Sequence, residues 1–237
     1  MGVLAKPLGA LLHLIYNMVG NYGVAIILFT IVTKVVLLPL TFKQLQSTKA
    51  MNDIQPELKK LQEKHKGDKN KLNEKTLELY KEHNINPMAG CLPLLIQLPI
   101  LFGLFAALRT PVEYVFAGDA AAAAIATSAP FLWMANLTDP DVLTMTMTLP
   151  LLGNKIPWIL PILAAVTTYF SMAMSAGKKK GGTQPQSMKT MTIMMPLMIL
   201  FWGVTFPAGL TLYWAVSNVF QMVQQYFINH RSDLKEA

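Results

Sequence analysis

Cysteine occurs once, at Cys91, which excludes an intrachain disulfide. Charged residues make up only 14% of the chain, well under the roughly one quarter usual in soluble domains. Acids are the scarcer sign, with 13 Asp and Glu against 20 Lys and Arg. The four histidines, His13, His65, His83 and His230, are scattered, and HExxH, CxxC, GxSxG and P-loop patterns are missing. The common zinc, thiol, serine-hydrolase and nucleotide sites go with them. Nothing in the sequence calls for a metal or a cofactor. No Asp or Glu falls inside the apolar runs described below. An intramembrane protease needs paired aspartates, a Ser/His pair or a zinc site there, and an ion-coupled transporter usually carries mid-membrane acids. The internal repeats of many transporters are also absent.

What the chain has instead is apolar length: 53% of residues are hydrophobic and the mean hydropathy is +0.38. Roughly 20 apolar residues at about 1.5 Å each cover a hydrocarbon core of about 30 Å. Five runs qualify: Tyr22 to Leu40, Cys91 to Leu108, Pro157 to Ala176, Met191 to Phe206 and Leu210 to Ile228. The fourth is short, and "FPAG" between it and the fifth marks a tight helical hairpin. The expected fold is an all-α integral membrane protein with transmembrane segments at 21–44, 89–109, 157–176, 191–206 and 210–228. Basic residues orient it. Ten lysines lie in 43–88, four in 177–190, and Arg231 and Lys235 in the tail 229–237. The opposite side has Lys6, Arg109 and Lys155. The positive-inside rule then puts the 45–88 and 177–190 segments and the C-terminus in the cytoplasm. The N-terminus, the loop 110–156 and the turn 207–209 fall outside.

Three segments do not cross. In 1–20, Leu4, Leu8, Leu11, Leu12, Ile15 and Val19 share one helical face, opposite Lys6, His13 and Asn17. That pattern suits an amphipathic helix in the outer interface; the alternative is a signal-peptide core behind Lys6. In 45–88, Met51, Ile54, Leu58 and Leu61 form one stripe, and Leu72, Thr76 and Leu79 another, across "HKGDKN". Thin stripes with charged flanks predict a mobile, coiled-coil-like helical hairpin; the alternative is a solvated linker. Its lysines alternate with glutamates, the pattern of a solvated face rather than a nucleic-acid site. In 110–156 the alanine run reads as helix or spacer. Trp133 reads as an interfacial anchor, and "VLTMTMTLPLLG" as apolar enough to lie on a membrane but too short to cross it.

One ammonium sits inside a span. Lys34 stands in "FTIVTKVVLLPL". A central Lys costs about 2.5–3.5 kcal/mol on insertion scales, while the Val, Ile, Leu and Phe residues of this run return about 0.3–0.6 kcal/mol each. The span inserts regardless. The plain explanation is that Lys34 snorkels to the inner interface. Thr30, Gln97, Thr167, Thr168, Ser171, Ser217, Asn218 and Gln221 offer another. Singly they suit helix–helix hydrogen bonds; together they line a wet cavity around a cation. Met172, Met174, Met188, Met191, Met194, Met195 and Met198 add flexible thioethers, either for an adaptable surface or for gap filling.

Three stretches carry a resemblance: "LLPLTFKQLQSTKAM", "NPMAGCLPLLIQLPILFGLFAAL" and "FPAGLTLYWAVSNVFQMVQQYF". They are similar to the YidC-type membrane protein insertase family (YidC/Oxa/Alb), over most of 21–110 and 157–230. The lack of a large extracytoplasmic domain resembles short Gram-positive members. The resemblance implies a non-enzymatic insertase and chaperone of the bacterial plasma membrane. Such a protein hands nascent membrane proteins into the lipid bilayer, alone or beside the Sec translocon. It implies a groove open to cytoplasm and lipid, with a basic residue usually found as Arg in a T-I-x-x-R context. Here "TIVTK" puts Lys34 at that position, and the other matched groove positions are Thr30, Gln97, Ser171, Trp214 and Ser217. Long basic tails of family members touch ribosomes; "NHRSDLKEA" is short. The competing function is a channel or solute transporter subunit.

Overall fold

The computed structural model describes residues 2–85, 92–149, 153–175 and 186–236. The start of the second apolar run, with Cys91, and most of the basic loop at 177–190 lie outside the described residues. Helix α1 (Gly2–Val19) ends at Gly20, whose φ of +70° suits glycine, and Asn21 then caps α2 (Tyr22–Val36) by accepting from Val24 N at 3.0 Å. The first apolar run does not continue as one helix. Pro39 has no N–H to extend the ladder, so the chain breaks at Leu37 and restarts as α3 (Leu38–Asp53), bent by 67° from α2. On length and hydropathy, no single helix among the described residues is enough to cross a bilayer, whereas the bent α2 and α3 pair is.

Helix α3 leads into α4 (Gln55–Lys64), with Pro56 in its first turn, and α5 (Lys69–Glu82) returns antiparallel to it. Ile54, Leu58 and Leu79 form a small core of their own, lined by Leu61, Tyr80 and Ile85. His83 and Glu57 meet at 3.2 Å across the arms. On the second arm, Glu78 hydrogen-bonds Lys75 and holds its ammonium above the ordinary lysine range. That pair is solvent-exposed, and such pairs contribute little. Then come α6 (Leu92–Arg109), α7 (Pro111–Tyr114), α8 (Ala120–Ser128), α9 (Ile159–Ser175), α10 (Gln186–Gly203) and α11 (Ala208–Glu236).

Helix α1 packs between α6 and α2; α11 packs on α2, on α9 and on α6; α10 packs on α9. Two close approaches hold the 110–131 segment against α1 and α2. A Cβ on Gly9 would lie 2.0 Å from the Tyr114 carbonyl oxygen, and one on Gly23 would lie 2.3 Å from the Phe131 ring. The main core gathers Tyr22, Ile26, Phe29, Leu104, Leu108, Leu210 and Tyr213. It sits toward the end where α2, α9 and α11 begin, here the loop end; α4 and α5 mark the hairpin end.

The loop itself is structured. Asp119 accepts from Ala122 N at 2.9 Å, and this cap makes the alanine run a helix, α8. "VLTMTMTL" is a strand, β1 (Val142–Leu149), antiparallel to β2 (Gly153–Pro157), with Leu143 opposite Ile156 and Thr144 opposite Lys155. This corrects the expectation of a purely helical chain. Strict apolar/polar alternation has the two-residue period of a strand, not the helical one. The loop also clasps two helices. The buried Asp141 carboxylate accepts from Leu160 N at 2.7 Å, in the first turn of α9, and from Trp133 Nε1 at 3.0 Å. Ala208 N and Gly209 N, at the start of α11, donate to the carbonyls of Asp139 and Leu137, both at 2.9 Å. Orphan donors of both helix N-termini are satisfied in this way.

Candidate functional site

Residues four apart share a helical face, and on α2 that face carries Thr30 and Lys34. Both are buried, Lys34 at 7% exposure. The Thr30 hydroxyl donates to Ile26 O at 2.7 Å. Among the described residues no carboxylate forms an ion pair with Lys34.

Helix α11 packs along α2 in the same direction. Gly209 lies against Ile26, and Gln224 Nε2 donates to Thr41 Oγ1 at 3.3 Å, a separation of 183 residues at both places. Lys34 and Ser217 each lie eight residues beyond the contact between Ile26 and Gly209. The Tyr213 phenol, one turn toward the loop end, accepts from Gln97 Nε2 at 2.9 Å, and Ser217 follows four residues on, on the same face of α11. Gln97 on α6 is thus tied to the face of α11 that carries Tyr213 and Ser217.

Another face of α11 meets α9. Thr168 Oγ1 donates to Ala164 O at 2.7 Å and accepts from both Trp214 Nε1 at 3.0 Å and Asn218 Nδ2 at 2.8 Å. Asn218 Nδ2 also approaches Thr167 Oγ1 at 3.4 Å. Ser171 is buried one turn further along α9, toward the hairpin end. Trp214 is thus tied to the α9 seam, and Ser171 continues it. No hydrogen bond joins this group to Lys34 among the described residues.

The polar layer continues past the break at Leu37. Gln44 on α3 is buried with no partner for its Nε2 among the described residues, and Asn52 Nδ2 donates to Ser175 O at 2.9 Å. Polarity is therefore graded along the molecule. The loop end is filled by Tyr22, Ile26, Leu104, Leu108, Leu160 and Leu210. The opposite half holds Lys34, Gln44, Thr167, Thr168, Ser217 and Asn218. Outward faces are apolar: Ile162, Val166 and Phe170 on α9, Ile193 and Leu197 on α10, and Val219 and Val223 on α11 are exposed.

Sequence reasoning passed over Tyr213, Thr41, Gln44 and Gln224. Tyr213 reads as apolar filling, yet a buried phenol needs a partner, and that need was the available signal. Thr41 and Gln44 sit beyond Pro39 in what reads as the start of a solvated segment.

A family model for the 60Kd inner membrane proteins matches residues 14–236. The chain is 42% identical over 236 residues to the membrane protein insertase YidC of Caldanaerobacter subterraneus subsp. tengcongensis, covering 99% of this chain and 98% of that one. It is 39% identical over 226 residues to the membrane protein insertase YidC of Fusobacterium nucleatum, covering 95% of each. Its fold is similar to an active YidC insertase crystal structure with the first transmembrane domain resolved, with a TM-score of 0.65 and 29% identity. That match covers 90% of this chain and 43% of the solved one.

Proposed function

The chain belongs to the 60Kd inner membrane protein family, whose relatives named above are YidC membrane protein insertases, and on that premise we propose that it inserts nascent proteins through a polar groove between α2, α9 and α11. Insertases of this family are not enzymes. The groove reading rests on Lys34, a cation at 7% exposure without a carboxylate partner among the described residues, in the polar half of the bundle. Thr30, Gln97, Ser171, Trp214 and Ser217 line the same half. The apolar packing at the loop end supports a groove shut on that side and open at the hairpin end.

In this reading the hairpin end is cytoplasmic and the loop end outside, in keeping with the lysine-rich 43–88 segment. Five segments, the bent α2 and start of α3, then α6, α9, α10 and α11, cross a bacterial plasma membrane in this reading, with α1 in the outer interface. A client's short polar segment enters the groove from the cytoplasm. It loses bulk water without meeting hydrocarbon, where each unsatisfied polar group costs several kcal/mol. The ammonium of Lys34 attracts acidic side chains in that segment, and low-dielectric walls strengthen the attraction. The client's apolar helix slides past the exposed face of α9 into lipid, and its burial drives the step. Nascent chains from the ribosome arrive at the α4 and α5 hairpin, and insertion proceeds with or without the Sec translocon.

Reconstitution tests this. Purified protein in liposomes lacking any translocon is expected to yield a protease-protected fragment of a single-spanning client and no selective solute uptake. Protection no better than in empty liposomes, or selective uptake, would count against the insertase groove.

A further inference from the structure

The 110–157 segment contains a turn that contradicts ordinary turn chemistry. Phe131 and Met134 exchange backbone hydrogen bonds, Phe131 N to Met134 O at 2.9 Å and Met134 N to Phe131 O at 3.0 Å. They close a two-residue tip, Leu132–Trp133. Such tips normally carry Asn, Asp or Gly, because the backbone enters the left-handed region. Here Leu132 adopts φ +54°, a conformation that L side chains rarely take. Leu132 is 71% exposed and Trp133 is 42% exposed. The chain holds two large apolar side chains outward on a strained backbone, where polar residues would fold more easily.

The position of the tip indicates what covers it. Trp133 Nε1 donates to the same Asp141 oxygen that accepts from Leu160 N. The tip is therefore fastened beside the first turn of α9. Trp158 and Ile159 are exposed at that turn, and the exposed stripe of α9 begins there. In the membrane reading above, that stripe faces lipid. Trp is favoured at the boundary between hydrocarbon and water. The tip thus continues the lipid-facing surface of α9 rather than standing alone.

We propose that Leu132–Trp133 is a membrane-seated finger, dipped into the outer-leaflet interface beside α9 and tied by Asp141 to the helix that clients pass. The occupant is the phospholipid bilayer surface itself. Through the Asp141 link, the finger fixes how deep the first turn of α9 sits. The inference rests on the proposed membrane orientation, so its test carries an internal control.

In a Cys91→Ser background, single cysteines at Leu132, Ile162 and Lys155 are labelled with a small fluorophore in liposomes. Ile162 represents the α9 stripe and Lys155 the polar face of the β-hairpin. Lipids bearing a nitroxide near the headgroup quench from the bilayer, and iodide quenches from water. The expected result at Leu132 is nitroxide quenching close to that at Ile162 and iodide quenching severalfold below that at Lys155. Iodide quenching at Leu132 equal to that at Lys155 would overturn the finger while leaving Ile162, and the orientation, intact. Protection of Leu132 from both quenchers would mean a protein partner or a second copy covers it, and would overturn the lipid assignment. Loss of nitroxide quenching at Ile162 as well would overturn the orientation and the finger together. Leu132→Gly gives a second readout, because glycine suits the left-handed backbone. Its melting temperature is expected to be unchanged or higher in detergent and lower in liposomes. A rise in both media would reduce Leu132 to a local defect and overturn the proposal.

Discussion

At the scale of single residues, the site depends on a few buried hydroxyls and amides. Thr168 is the most connected, accepting from Trp214 and from Asn218 while donating to its own helix. Thr168→Val keeps the shape and removes the acceptor for two donors. An unsatisfied buried donor costs about 1–3 kcal/mol, so this variant should melt clearly lower in detergent; an unchanged melting temperature would show that the seam carries no load. Gly23 is constrained differently. Gly23→Ala drives a methyl into the Phe131 ring and should cost about 1–3 kcal/mol by overpacking, read by the same melt. Lys34 was legible in the sequence because an ammonium is conspicuous among Val, Ile and Leu. Tyr213 was not, since a phenol at an apolar position looks like filling until the Gln97 contact is seen.

At the scale of elements, apolar runs announced the helices, but their ends were set by local chemistry that hydropathy does not register. Pro39 breaks the first run, Asp119 turns five alanines into a helix, and a two-residue period makes "VLTMTMTL" a strand. Asp141 illustrates how short-range chemistry becomes long-range order. Removing a side chain that satisfies an orphan N–H in a helix's first turn, as a capping residue does, costs about 0.5–2 kcal/mol. Asp141→Ala should therefore loosen the start of α9, with faster amide exchange at Leu160 and a changed Trp133 emission, while Asp141→Asn, which keeps an acceptor, should come close to the parent protein. The α4 and α5 hairpin has its own small core of Ile54, Leu58 and Leu79, separate from the main one. Replacing Met51 to His83 by a short linker removes the Asn52–Ser175 hydrogen bond with the hairpin, and should lower the melting of the bundle only slightly while lowering client insertion. Full insertion by that deletion would remove the hairpin from the mechanism.

At the scale of the whole molecule, the decisive feature is a gradient. One end is packed with large apolar side chains and clasped by the 131–141 segment; the other holds a cation and a run of neutral polar groups. The sequence carried half of this picture, since the polar residues stand out on their helices. It could not carry the level at which they sit, because that depends on where α11 packs along α2 and α9. The central claim is that positive charge at this level draws client segments in, so charge matters more than the shape of the group bearing it. The direct test is reconstitution of Lys34→Arg, Lys34→Ala and Lys34→Glu in proteoliposomes at matched protein levels. The readout is protease protection of single-spanning clients with and without acidic translocated segments. The account predicts insertion by Lys34→Arg and failure of Lys34→Ala and Lys34→Glu, most clearly for the acidic clients. Full activity of Lys34→Ala on both kinds of client would contradict it and leave Lys34 as a side chain that merely snorkels.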